Sequence, residues 1–234
     1  MIDIRERIGV WPADRLKISG LYFFLFCGGL WHLLGVFQTV MAVTAGPLLI
    51  GLASWLVVET LRQPEVAGER TFRRTFLEWS ALVVVSTFFL EWLGVISGVV
   101  FGSYQYGEVL RPQLAGVPLA IGFAWLGMLL ASSAVIQRFR PSIVRRAPIV
   151  QALAIAVVMV LFDAVMEPVA MALDYWQWEG GVVPLHNYAG WFVISLALSW
   201  IAIRRRLLLA TPLPALAAHA FWAQLLYFVM ITVK

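Results

Sequence analysis

The chain has 234 residues, 62% hydrophobic and only 13% charged, with a mean hydropathy of +0.86. A soluble domain carries nearly twice that share of charge, so a water-soluble fold is excluded and an all-α, polytopic membrane protein is expected. One cysteine, Cys27, excludes a disulfide framework and a cysteine-based metal cluster, and the net charge of +4 is too dispersed along the chain to mark a nucleic-acid surface.

The first sixteen residues, MIDIRERIGVWPADRL, mix both charge signs and hold no apolar run of signal-peptide length. No cleavable signal is expected, and this stretch reads as a short amphipathic segment on the membrane surface. Seven spans of about 20 apolar residues follow. The first, 17–41, holds His32 near its middle. The second, 43–61, carries Glu59 at one end. The third, 74–99, has Glu78 near its start and Glu91 in its far half. The fourth, 118–137, has no ionisable group inside it. The fifth, 149–173, contains Asp163, Glu167 and Pro168. The sixth, 185–203, opens on His186 and Asn187. The seventh, 212–233, contains His219 and Gln224. Proline and glycine mark the ends, at Gly46-Pro47, Arg111-Pro112, Arg140-Pro141, Ala147-Pro148 and Thr211-Pro212. The whole of 1–234 reads as a single integral-membrane domain, with no repeat and no low-complexity segment.

The basic residues sort by side. Arg5, Arg7, Arg15 and Lys17, then Arg62, Arg70, Arg73 and Arg74, then Arg138, Arg140, Arg145 and Arg146, then Arg204, Arg205 and Arg206 all fall on one face. Only Arg111 and Lys234 fall on the other. The positive-inside rule therefore predicts a cytoplasmic N-terminus, an outer C-terminus and residence in the cytoplasmic membrane. Glu59 and Glu78 lie near the Arg-rich loops and are expected to pair there. The outer loops differ in kind. Residues 100–117 and 174–191 are rich in Tyr, Trp and Gly and are long for inert connectors. Tyr104, Tyr106, Trp176 and Trp178 are most simply anchors at the membrane interface, with the lining of a pocket as the second reading.

Ionisable side chains cost about 2.5–3.5 kcal/mol each in the centre of a span, so those present need a reason. Asp163 and Glu167 are one helical turn apart on the same face, about 6 Å along the axis. Pro168 leaves the carbonyl of Ala164 without its usual donor. Glu91, His32, His186 and Asn187 lie at similar depth, from mid-plane to the outer half. Two carboxyl groups sharing an apolar site favour keeping one proton, and a neutral carboxyl in a dry site is a capable general acid. Structural hydrogen bonding between helices is the competing reading for each, and for His32 the two readings stand level. His219 reads as structural. No HExxH-type spacing supports a metal site, and none is expected. A retinal-binding bundle needs a lysine within a span, yet the only lysines are Lys17 and Lys234. An isoprenoid transferase of the Asp-rich type needs clustered aspartates, and only Asp163 lies within a span. No Gly-x-Ser-x-Gly motif supports a serine hydrolase.

Three stretches carry a family resemblance: EWLGVISGVVFGSYQYGEVLRPQLAGVPLAIGFAW (91–125), FDAVMEPVAMALDYWQWEGG (162–181) and VPLHNYAGW (183–191). Their Glu, Phe-Gly-x-Tyr-x-Tyr, Asp-x-x-x-Glu-Pro, Trp-x-Trp and Asn-Tyr-x-Gly-Trp elements, in this order, resemble the integral-membrane carotenoid biosynthesis proteins that include the carotenoid 1,2-hydratases. The turn at 180–183 is shorter than that family's pattern, and His186 departs from it. The resemblance implies addition of water to the terminal double bond of a linear or half-cyclised carotenoid, without a cofactor. It implies Asp163, Glu167 and Glu91 as catalytic groups. Tyr104, Tyr106, Trp176, Trp178, His186, Asn187 and His32 become candidate substrate-binding residues. Carotenoid, water and the lipid bilayer are the implied partners, and oligomeric state is left open. A carotenoid cyclase, in which an internal alkene captures the cation, and a proton-coupled transporter remain the alternatives.

Overall fold

A computed structural model describes residues 12–139 and 141–232. Its helices are α1 (Pro12–Leu34), α2 (Gln38–Leu61), α3 (Arg70–Ser97), α4 (Ala120–Phe139), the short α5 (Pro141–Val144), α6 (Pro148–Ala172), α7 (Leu185–Arg204) and α8 (Ala215–Thr232). Seven of them, all but α5, are long and apolar enough to cross a membrane, which makes this a multi-pass membrane protein. Arg5, Arg7, Arg140, Lys234 and the expected surface segment up to residue 11 lie outside the described residues.

The seven spans sit where hydropathy places them, with one shifted boundary. The first two helices part at 35–37, not near residue 42. Gly35 takes a left-handed φ of 68°, a conformation open to glycine at little cost. The Val36 N–H donates to the Trp31 carbonyl at 3.0 Å, and the Gln38 amide donates to the carbonyls of Trp31 and Val36 at 3.1 Å each, fastening the turn to the end of α1. Pro47 lies inside α2 instead of ending a helix. Its neighbour Gly46 is pressed against the Arg111 carbonyl of the 98–119 loop, where a side chain has no room.

Helix α4 is the hub, packed against α2, α3, α6 and α8. Small residues permit this. A Cβ on Gly122 would run into the Val84 backbone of α3, and Gly127 faces Ala53 of α2. Close backbone approach of this kind is how helices associate in lipid, where no hydrophobic drive pulls them together. Three buried hydroxyls bond back along their own helices, Thr87 to Val83, Ser133 to Leu129 and Ser195 to Trp191, so no water is needed to satisfy these three. On the basic face, Glu59 pairs with Lys17 at 2.6 Å and with Arg62 at 3.4 Å, and Glu78 pairs with Arg74 at 2.7 Å.

An all-helical fold omits two strand ribbons at the opposite end. β1 (Tyr104–Tyr106) pairs antiparallel with β4 (Trp176–Trp178), in register Tyr104 to Trp178, Gln105 to Gln177 and Tyr106 to Trp176. β2 (Gln113–Leu114) and β3 (Val117–Pro118) form a second, smaller ribbon. The first ribbon joins two loops 70 or more residues apart in sequence and packs against α3 and α6.

Candidate active site

Strand period 2 governs the β1–β4 ribbon. Side chains at alternate positions point to one face, so Tyr104, Tyr106, Trp176 and Trp178 turn towards the bundle while Gln105 and Gln177 turn away. The four rings pack against one another, Tyr104 on Trp178 with centroids 4.9 Å apart and Tyr106 on Trp176 at 6.1 Å. Their polar tips reach down to the carboxyl groups of the spans.

Glu91 of α3 is buried. Its Oε2 accepts from the Tyr104 hydroxyl at 2.5 Å and the Tyr106 hydroxyl at 2.8 Å, and its Oε1 accepts from the Trp125 indole of α4 at 2.9 Å. Burial first, and the Glu91 charge second, push both tyrosines above their ordinary value, so both stay phenols and donors at any physiological pH. Glu167 of α6 is likewise buried. Its Oε2 accepts from the indoles of Trp176 at 2.9 Å and Trp178 at 2.8 Å, and its Oε1 accepts from the Asn187 amide at 2.9 Å. The same amide donates to Asp163 Oδ2 at 2.9 Å. Asn187, near the start of α7, thus spends both its hydrogens holding together the two carboxyls of α6. Asp163 is wholly buried, and its Oδ1 has no hydrogen-bond partner among the described residues.

Between Glu91 and Glu167 lies a cavity of about 20 Å³. It is lined by these two carboxyls, the four ribbon rings and Asn187, and closed by Phe101, Ile121 and Trp191. A space of that size admits a single water molecule. Trp125 stacks on Trp191 with centroids 4.0 Å apart and planes 22° off parallel, extending the aromatic wall beneath it. Phe101 fills the seam between α3 and α7. Its ring lies against Gly94 on one side and Gly190 on the other, and a Cβ on either would come within 2.9 Å of it. This close approach is what those two glycines provide.

Eight of the ten candidate residues from the sequence therefore meet: Asp163, Glu167, Glu91, Tyr104, Tyr106, Trp176, Trp178 and Asn187. The two histidines do not. His186 is exposed on the first turn of α7. It precedes Asn187 by one residue, and a helix turns about 100° per residue, so only one of the pair faces inward. His32 lies across the bundle, its Nδ1 3.0 Å from Gln38 Oε1, against the ring of Tyr227. Trp125, Trp191 and Phe101 are the site residues that depth alone did not single out. Among the described residues, no three His, Cys, Asp or Glu side chains converge as a metal-ligand set.

His32 belongs to a much larger space, a groove of about 950 Å³ bounded by α1, α2, α6 and α8. Its α6 wall is Pro168, Val169 and Ala172, which lie across the helix from Asp163 and Glu167. Its lining is mostly apolar, and it holds no buried carboxyl. The chemistry-bearing groups are all on the other flank of α6.

The fold is thus a multi-pass membrane bundle with three buried carboxyls beneath a Tyr/Trp lid at one end. The chain belongs to the carotenoid biosynthesis protein family, whose model matches residues 31–233. It is 31% identical over 139 residues to the bisanhydrobacterioruberin hydratase of Haloarcula japonica, a match covering 57% of this chain and 47% of that protein, so that it spans about half the relative's length. No solved structure matches.

Proposed function

We propose that the protein is a carotenoid hydratase, adding water across the terminal C1–C2 double bond of a linear or half-cyclised carotenoid to give a tertiary alcohol. The observation that carries this reading is the joining of Asp163 and Glu167 by one Asn187 amide, in a site otherwise walled by aromatic rings. Hydration of a trisubstituted alkene needs a neutral carboxyl to protonate C2, a site that tolerates the tertiary cation at C1, and a base to take a proton from the attacking water. Buried acid and base groups supply the first and last. Carboxylate charge and ring faces supply the second. Family membership and the hydratase-named relative support the substrate class and the reaction type. The cavity of about 20 Å³, of the size of one water molecule, supports water over an internal alkene as the nucleophile.

The end group reaches the site from the lipid, between α3 and α7. These helices make little direct contact near the ribbon, and Phe101, not helix packing, closes the seam. With the Arg-rich loops in the cytoplasm, the site opens towards the outer leaflet of the cytoplasmic membrane. The reaction as written consumes only carotenoid and water. Expression in cells that accumulate lycopene is the test. Hydroxylated pigment, heavier by one water per reacted end, is expected. An unchanged pigment profile, or ring-closed pigment of unchanged mass, contradicts the proposal.

A further inference from the structure

The carboxyls of α6 differ in their partners, and the difference says which one holds the proton. Glu167 is met by Trp176, Trp178 and the Asn187 amide, three groups that only donate. A proton on Glu167 would add a fourth donor among donors and remove charge from an acceptor built to carry it. Asp163 accepts one hydrogen bond from Asn187 on Oδ2, while Oδ1 is buried with no partner among the described residues. A bare carboxylate oxygen in an apolar interior is far costlier than a bare hydroxyl. The arrangement of lower cost is Glu167 ionised, with its three donors, and Asp163 protonated on Oδ1, which leaves a bare hydroxyl in place of a bare carboxylate oxygen. Only Glu167 of the pair lines the cavity of one-water size, opposite Glu91.

Resting on the hydratase reading, we propose a division of labour: Asp163 is the proton donor to the alkene, and Glu167 is the base that activates a single water held in the cavity between it and Glu91. The Oδ1–H bond of Asp163 breaks as the π pair of C1=C2 forms a C2–H bond, leaving the cation at C1. The cavity water forms the C1–O bond, and one of its protons passes to Glu167. That proton moves by way of the next water to Asp163, one turn away on α6, which restores the starting state. The net change is alkene plus water to tertiary alcohol. Asn187 is the positioning residue, since its amide keeps the two side chains on one plane of approach.

Membranes holding the wild type or a variant are incubated with lycopene in heavy water, and the extracted pigment is analysed by mass spectrometry. Wild type is expected to add one heavy water per reacted end. Asp163→Asn is expected to lose both hydration and deuterium incorporation, by at least about 10²-fold. Glu167→Gln is expected to lose hydration yet still place deuterium in the end group. There Asp163 protonates the alkene, and with no activated water its carboxylate takes a proton back from the cation. Asp163→Glu, which keeps the carboxyl, is expected to restore part of the deuterium incorporation and guards against a fold defect, as does the yield of each variant in the membrane. Incorporation surviving in Asp163→Asn but lost in Glu167→Gln overturns the assignment while leaving the hydratase reading in place, as does loss of both signals, or retention of both, in the two variants alike. A wild type that gives neither hydration nor incorporation, or that closes rings, overturns the hydratase reading and the water site with it.

Discussion

Two polar clusters flank α6, and they have opposite characters. On the α7 side, three carboxyls are buried, hydrogen-bonded by six indole, phenol and amide partners, and left with about 20 Å³ of free space. On the α1 side, His32 and Gln38 border an apolar groove of about 950 Å³ with an open flank. The larger space is mostly apolar and holds no buried carboxyl. The smaller one holds charge where charge is costly. In a membrane protein the expense of a buried group is thus a better guide to chemistry than the volume beside it.

Substitution can break this contrast. The largest effect is expected at the carboxyls: Asp163→Asn and Glu167→Gln each reduce hydrated product by about 10²–10⁴-fold, measured by pigment extraction from membranes with equal amounts of protein. Trp176→Phe and Trp178→Phe come next. Each keeps a ring but removes one of the two donors on Glu167 Oε2, at a cost of about 1–3 kcal/mol, and thermal unfolding in detergent reads it. The double variant is expected to lose more than the two singles together, because the first leaves Oε2 satisfied by the other indole and the second strips it. Gly190→Ala sharpens the role of the seam. Its methyl group meets the Val100 carbonyl and the Phe101 ring, and about 1–3 kcal/mol of destabilisation is expected, with loss of activity following the displacement of Phe101. The smallest effect is expected across α6 and on the surface. His32→Ala removes the hydrogen bond with Gln38, worth about 1 kcal/mol, together with the ring contact with Tyr227. His186→Ala changes stability by less than about 0.5 kcal/mol. Both keep the wild-type product. A loss of product on substituting His32 as large as that of Asp163→Asn would erase the contrast and move the chemistry into the groove.

Depth was legible in the sequence, and azimuth was not. Runs of apolar residues place seven spans, and Asp163, Glu167, Glu91 and Asn187 stand out because polar groups there need a reason. Nothing in one sequence says that α3, α6 and α7 turn those groups towards one another, so His32 and His186, at the same depth, looked equally eligible. The α1–α2 break at 35–37 lies inside a largely apolar run, LLGVFQTVMAV, with Gly35 as its mark, and the Gln38 side chain bonds back to Trp31 and Val36 across it. Tyr104-x-Tyr106 and Trp176-x-Trp178 carry strand period 2 in plain view. Their pairing is a long-range contact, and only that pairing converts four interface aromatics into a lid over two carboxylates. Trp125 was hidden differently, as one large apolar side chain in a helix that is buried almost all round. Its indole matters because Glu91 lies beside it.

The most direct measurement is the pigment mass profile of lycopene-accumulating cells expressing the wild type beside Asp163→Asn. Wild type is expected to yield carotenoid heavier by one water per reacted end, and Asp163→Asn, present in the membrane at the same level, only unreacted pigment. Hydroxylated pigment from both strains, or from neither, would contradict a carotenoid hydratase that draws its proton from Asp163.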